Sequence, residues 1–338
     1  MTNIPEDLLA WANKKLLAAG GSLVEEAVPL REEASFRKYF RLSSKSDSFI
    51  GVFSPPDKES NERFLFFSQF LKENQVRVPE VIHHDFDKGF LILEDFGDKL
   101  YQFELSKKNA HSLYAAALDE MIAIQTSIPS NKIATLSYDQ AMKQIMLFEE
   151  WFLKGFLGLD LQERESNLLQ DSYEIILQAF FDQPQVLCHF DFESRNIMVL
   201  EDGCAGILDF QDAIIGPIFL DPVSLLKDLD HVWKTEDSNQ FLSDYLSKAG
   251  KEDVLPEVED STIMRWFDLT GLQRQLRILG TLSRLHLRDN KSYRLIDLKQ
   301  TLVYMIDATS NYKDLIGLNI FLKKKILPAL DLKLRDIL

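Results

Sequence analysis

Apolar residues recur at helical spacing from Pro5 to Ala19. Pro5 suits a first helical turn, Glu6 and Asp7 favour its positive end, and Gly20-Gly21 stops it. From about Ser22 to Phe96 the pattern shortens to strands. Ser35 to Leu42 is rich in aromatics with alternating charge, and Ser48 to Phe53 is an apolar run ended by Pro55-Pro56. A helix is predicted over Lys58 to Glu73. A hairpin follows, in which Val78 to His83 and Gly89 to Leu93 are joined through Asp85-Phe86-Asp87-Lys88. After Gly97 the periodicity is helical, near 107–127, 138–157, 162–181, 221–234, 239–249, 262–288, 293–309 and 319–336. The exception is 186–215. There Ile197 to Leu200 and Ala205 to Phe210 are apolar runs joined by a tight Asp202-Gly203 turn.

The chain has 338 residues, about right for two lobes. Hydrophobic residues make up 46% and charged residues 27%, the composition of an ordered globular protein. The formal net charge of -15 argues against nucleic acid as the main partner, because phosphate contacts need a positive surface. Cys188 and Cys204 have no metal-like spacing and make no disulfide scaffold, so a reducing cytoplasm is expected. The opening Met1-Thr2-Asn3-Ile4-Pro5-Glu6-Asp7 has no basic start followed by an apolar run, which predicts no signal peptide. No stretch approaches the roughly 18 apolar residues of a membrane helix. No membrane partner is therefore expected, and a monomer is.

Chemistry concentrates around the short hairpin. His189, Asp191 and Asn196 fall as H-x-D-x-x-x-x-N before one strand, and Asp209 ends the next. A loop before a strand presents Asp191 and Asn196 at that strand's start, and the antiparallel return brings Asp209 beside Asn196. Two oxygen ligands then converge, which suits a magnesium ion completed by water and nucleotide phosphates. Asp191 is left to accept a proton from an attacking hydroxyl. Downstream, Asp221 is a good N-cap with Pro222 in the first turn.

This arrangement resembles the catalytic and metal-binding loops of protein-kinase-like phosphotransferases. The resemblance implies an α+β, bilobal fold: a small strand-rich N-lobe over 1–94 and a large helical C-lobe over 95–338. It implies ATP and Mg2+ as cofactors, Asp191 as catalytic base, and Asn196 and Asp209 as metal ligands. His189 is expected to be structural. Asp221 serves either as a cap alone or as a cap that also braces the catalytic loop. Asp209-Phe210-Gln211 departs from Asp-Phe-Gly and is similar to the aminoglycoside and sugar phosphotransferases.

On the nucleotide side, the same resemblance makes Glu94, Asp95 and Phe96 the hinge that pairs with adenine. No glycine-rich phosphate loop occurs, and the usual strand lysine is absent from Ser48 to Phe53. A turn at Ala34-Ser35 is expected to offer backbone N–H groups, with Ser35 as the phosphate-binding candidate. Arg37 or Arg41 is expected to supply the missing cation. The acid on the small-lobe helix is then Glu59 or Glu62.

Ala34 to Arg41, read as A-S-F-R-K-Y-F-R, resembles the signature of bacterial anomeric sugar kinases, which phosphorylate N-acetylmuramate and N-acetylglucosamine at C1 in cell-wall recycling. So do Leu93 to Gly97, Leu208 to Ala213, Asp221 to Asp228 and Leu272 to Gly280. The resemblance spans about residues 5 to 330 and departs at Glu193, Phe53 and Leu287. It implies a small-molecule, amino-sugar substrate. Gln211 and Asp212 are the first acceptor candidates, and Glu150 and Trp151 the next unless they belong to an apolar helix face. Arg274 heads a stripe with Arg277, Arg284 and Arg288, within an arc of about 80° at 3.6 residues per turn. The stripe is either a feature that binds a substrate carboxylate or an incoming phosphate, or a solvated or salt-bridged face. The competing activities are an aminoglycoside, choline or homoserine kinase, or a nucleotide-binding pseudokinase.

Overall fold

The structure is a computed structural model that describes residues 4–30 and 36–337. The chain forms α1 (Glu6–Ala18), β1 (Glu26–Pro29), β2 (Lys38–Ser43), β3 (Ser48–Phe53), α2 (Asn61–Glu73), β4 (Val81–Asp85) and β5 (Phe90–Glu94). Then come α3 (Tyr101–Glu104), α4 (Ala110–Thr126), α5 (Tyr138–Leu147), a π-helical segment (Phe148–Phe156) and α6 (Glu163–Phe181). Strands β6 (Gln185–Cys188), β7 (Ile197–Val199), β8 (Ala205–Ile207) and β9 (Ile214–Pro217) precede α7 (Leu220–Leu226), α8 (Thr235–Lys251), α9 (Asp260–Asp289) and α10 (Asp297–Thr309). The chain closes on α11 (Ile316–Phe321), a second π-helical segment (Leu322–Ile326) and α12 (Leu327–Ile337). The fold is α+β, as expected, with an antiparallel N-terminal sheet and a helical C-terminal region.

Packing separates two compact units, Met1–Ser127 with Arg195–Ala213 and Ile128–Ser194 with Ile214–Leu338. The first holds a five-stranded antiparallel sheet in the order β1-β2-β3-β5-β4. Strand β2 alternates, with Phe40 and Leu42 buried between half-buried Tyr39 and Arg41, as a strand with one covered face must. Helix α1 lays Leu8, Trp11, Ala12 and Leu16, one helical face, onto Phe40, Leu42, Phe90 and Ile92. The β7–β8 hairpin pairs Ile197 with Ile207 and belongs to this unit. Its outer groups are tied down by Val199 N–H to the Lys99 carbonyl and Ile207 N–H to the Arg77 carbonyl, both at 2.7 Å. Strand β1 lies within a stretch where alternation alone did not single it out.

In the second unit β6 pairs with β9, and the long helix α9 carries most of the helical packing. Gly280 sets its approach to α5, because a Cβ there would fall under 3.0 Å from the Leu147 backbone. The helix expected over 138–157 changes at Phe148 to π geometry, keeping Phe148, Phe152 and Phe156 buried. The helix expected over 221–234 stops at Leu226. Beyond it Asp228 turns its side chain to the N–H groups of Ser194 at 2.8 Å and Asp230 at 2.9 Å, which replaces helical pairing. Among the described residues no helix is long and apolar enough to cross a membrane.

Candidate active site

Strand β5 leaves the sheet at Glu94, and the chain turns through Asp95, Phe96 and Gly97. The Glu94 N–H donates to the Glu80 carbonyl at 2.9 Å. The Asp95 carboxylate accepts from Arg41 Nε at 2.7 Å, Ser48 Oγ at 2.5 Å and the Gly97 N–H at 2.9 Å. Burial pushes the Asp95 carboxyl up, but these donors and the Arg41 charge together hold it below its ordinary value. Arg41 also meets Asp98 and donates to the Gly97 carbonyl at 2.8 Å. Its guanidinium is committed to fastening β2 to the turn after β5.

Arg37 is buried and points to Glu59, at 3.2 Å, with Nε donating to Ser54 Oγ at 3.1 Å and its guanidinium over the Phe64 ring. A buried guanidinium needs such partners. Both cations expected on the phosphates therefore carry protein acids. Ser35, the other phosphate candidate, lies outside the described residues.

A cavity of about 350 Å³ lies wholly in the first unit. It gathers Arg41, Glu94, Asp95 and Phe96 with Asn196 and Asp209, and Ile50, Leu93, Met198 and Leu208 give it apolar surface. Apolar walls suit a flat base, and the amide and carboxylate oxygens suit a cation or its waters. Gly206 lets the Phe96 ring lie against β8, since a Cβ there would come under 3.0 Å from that ring. Arg37 is not part of this lining. Arg195 is, and sequence reasoning passed over it. The available signal was a cation adjacent to Asn196.

Asp209 takes a left-handed conformation, φ +59°, which aspartate tolerates better than most residues. The Leu208 N–H donates to the Asn196 carbonyl at 2.9 Å, which ties the two strand ends together. Gln211 Nε2 donates to Asp209 Oδ1 at 2.6 Å, and Arg63 Nε holds the Gln211 carbonyl at 2.6 Å. Gln211 Oε1 is buried with no partner among the described residues. Asp212 is exposed. Asn196 and Asp209, lining one cavity, offer oxygens of the kind that would suit magnesium together with water and phosphate.

In the second unit, Asp191 lies in the loop between β6 and the Ser194–Asn196 turn. This loop is held from its acids and its amides. Asp221, fully buried, accepts from the N–H groups of His189 at 2.6 Å and Phe190 at 2.9 Å. Burial pushes the Asp221 carboxyl up to about 6, against the two amides and His189, which favour its charged form. The N-cap position of α7 is Phe219, so Asp221 is a brace and not a cap. His189 is buried, and its ring meets Phe192 edge-on at 5.7 Å.

Arg274 is 1% exposed, with its guanidinium on Glu193 and on Ser224 Oγ at 3.0 Å. This corrects its expected place at an acceptor. The stripe is a salt-bridged one: Arg274 meets Glu193, Arg277 meets Asp191 at 3.2 Å and Arg288 meets Asp289 at 2.7 Å. Trp151 is half-buried and Glu150 exposed, both on the π-helical segment. Neither is brought into contact with the catalytic loop by any bond among the described residues.

The family model of the phosphotransferase enzyme family (APH) matches residues 26–260, more than half of the chain. The chain belongs to the phosphotransferase enzyme family. As a member of that family it is an ATP-dependent small-molecule kinase. This phosphotransferase is 32% identical over 292 residues to an N-acetylmuramate/N-acetylglucosamine kinase of Neisseria meningitidis serogroup B, covering 85% of this chain and 86% of that one. It is also 32% identical over 297 residues to the enzyme of the same name from Pseudomonas aeruginosa, covering 87% and 86%. Its fold is shared with the choline kinase LicA from Streptococcus pneumoniae, at a TM-score of 0.61 and 13% identity over 91% of this chain and 100% of that one. The ADP-bound aminoglycoside phosphotransferase APH(2'')-Ib matches with a TM-score of 0.60 and 16% identity, covering 90% and 99%.

Proposed function

We propose that this phosphotransferase transfers the γ-phosphate of ATP to the anomeric hydroxyl of N-acetylmuramate or N-acetylglucosamine, in the recycling of peptidoglycan. The observation that carries the nucleotide half is one cavity lined both by Glu94, Asp95 and Phe96 and by Asn196 and Asp209. The sugar half is supported by relatives of that printed activity at 32% identity over 85% and 87% of the chain.

In this reading the backbone at Glu94 to Phe96 takes the adenine edge, and the Arg41–Asp95 pair keeps that backbone in place. Asn196 and Asp209 hold Mg2+, which supplies charge neutralisation at the phosphates when bound. Asp191 accepts the proton of the C1 hydroxyl, whose oxygen attacks the γ-phosphorus. The bond from that phosphorus to the bridging oxygen breaks and ADP leaves. Gln211 Oε1, lacking a partner among the described residues, accepts a hydrogen bond from the acceptor, and Asp212 adds a second polar contact. Trp151 and Glu150 offer a ring platform and a hydroxyl acceptor. Arg195 is the cation on the phosphates in place of the absent strand lysine. The enzyme works in the cytoplasm, where its nucleotide is supplied.

The test is ATP consumption with N-acetylmuramate, N-acetylglucosamine, choline, homoserine and kanamycin. Turnover is expected with the two amino sugars. Asp191→Ala is expected to lose turnover by about 10³-fold or more while retaining Mg-ATP binding by calorimetry. Turnover with choline or kanamycin alone would replace the acceptor, and an active Asp191→Ala enzyme would remove the base.

A further inference from the structure

The loop that carries Asp191 is gripped by two arginines one helical turn apart on α9. Arg274 reaches Glu193, and Arg277 Nη2 donates to Asp191 Oδ1 at 3.2 Å. Residues 191 and 193 alternate along the loop, so a single helix face addresses both. The Arg277 guanidinium also lies over the ring of Phe190, 4.5 Å from its centroid. That contact gives a reason for the backbone at Phe190, which holds φ +84° although it is not glycine. Its N–H is fixed by Asp221, and the left-handed turn sets its ring against Arg277.

Exposure separates the two partners. The Arg277 side chain is 15% exposed and the Asp191 side chain 42%. The anchor is covered and the carboxylate is open. We propose that Arg277, seated on Phe190, is a positioning residue that orients the Asp191 carboxylate through Oδ1 for its work on the acceptor hydroxyl. This rests on the reading of Asp191 as the base. An ion pair between freely exposed groups would hold no such orientation, because side-chain entropy and solvent screening cancel most of it. Stacking on an aromatic ring removes the guanidinium's freedom and supplies the missing rigidity. Arg274 does not substitute for it, since its guanidinium is buried on Glu193 and Ser224.

The experiment is a double-mutant cycle on the full chain with steady-state and single-turnover kinetics. Arg277→Gln is expected to lower kcat about 10- to 100-fold while the KM for ATP stays within about twofold. Arg277→Lys is expected to recover part of the loss. Phe190→Leu, which removes the ring but not the charge, is expected to lower kcat in the same direction by less. In an Asp191→Asn background, Arg277→Gln is expected to cost nothing further. An equal loss in that background, or a loss seen only as a higher KM, overturns the proposal. Should Arg277→Gln fail to fold, the Lys and Phe190 variants decide it, and wild-type kcat in both overturns it. The two readings fail separately. An active Asp191→Ala enzyme removes the base itself, whereas an inactive one beside a fully active Arg277→Gln enzyme removes only the positioning role.

Discussion

At the residue scale, Asp221 illustrates how a buried carboxylate serves a loop at some cost to stability. It accepts the His189 and Phe190 amides with no solvent, and burial raises its pKa to about 6. The folded state thus keeps a proton that the unfolded chain releases near its ordinary pKa of 3.8. Between pH 4 and 6 the native state binds more protons, so this group's contribution to stability falls as pH rises and levels off above 6. Asp221→Asn has no such titration. It also turns an amide NH2 toward one backbone donor, leaving a buried N–H unpaired at about 1–3 kcal/mol. The wild-type advantage in Tm over Asp221→Asn is expected to shrink from pH 4 to pH 6 and then stay level. An advantage that grows across that window would contradict the assignment. Asp95 has the opposite sign. Its lowered pKa adds stability above about pH 4 that is lost on acidification, so neutral pH leaves the Arg41–Asp95 pair intact.

At the scale of elements, α9 is the member on which the second unit depends. Its contact with α5 is close because position 280 lacks a side chain. Gly280→Ala is expected to cost roughly 1–3 kcal/mol by overpacking. Thermal denaturation would read this as a fall in Tm of several degrees, and an unchanged Tm would mean that the two helices can part freely. The same helix shows where sequence reading ends. The approach of Asn196 to Asp209 was legible because a hairpin closes over a few residues and its register brings the two strand ends together. The α+β class and most element positions were legible from periodicity. Arg274 with Glu193 and Arg277 with Asp191 are separated by 81 and 86 residues, and nothing local marks such pairs. The commitment of Arg41 to Asp95, 54 residues away, was hidden for the same reason. A short basic stretch reads as a phosphate site until its acids are in view. The π-helical Phe148–Phe156 was also invisible, because buried aromatics at positions 148, 152 and 156 read as an ordinary helix.

At the scale of the molecule, the chain passes from the second unit to the first at Ser194–Arg195 and returns at Ala213–Ile214. Asn196 and Asp209 therefore line the cavity of the first unit, whereas the loop of Asp191 is held by α7 and α9. This division separates two kinds of damage. Chelation of Mg2+, or Asp209→Ala, is expected to weaken ATP binding measured by calorimetry, whereas Asp191→Ala leaves it in place. Equal ATP affinity with and without magnesium would argue against Asn196 and Asp209 as its ligands. The claim on which the functional account turns is the atom that receives the phosphate. Proton-coupled 31P NMR of a reaction with N-acetylglucosamine, ATP and magnesium reads that atom directly. The account predicts a new phosphate doublet coupled to the anomeric proton. A signal coupled to the C6 methylene protons, or no transfer to either amino sugar, would contradict it.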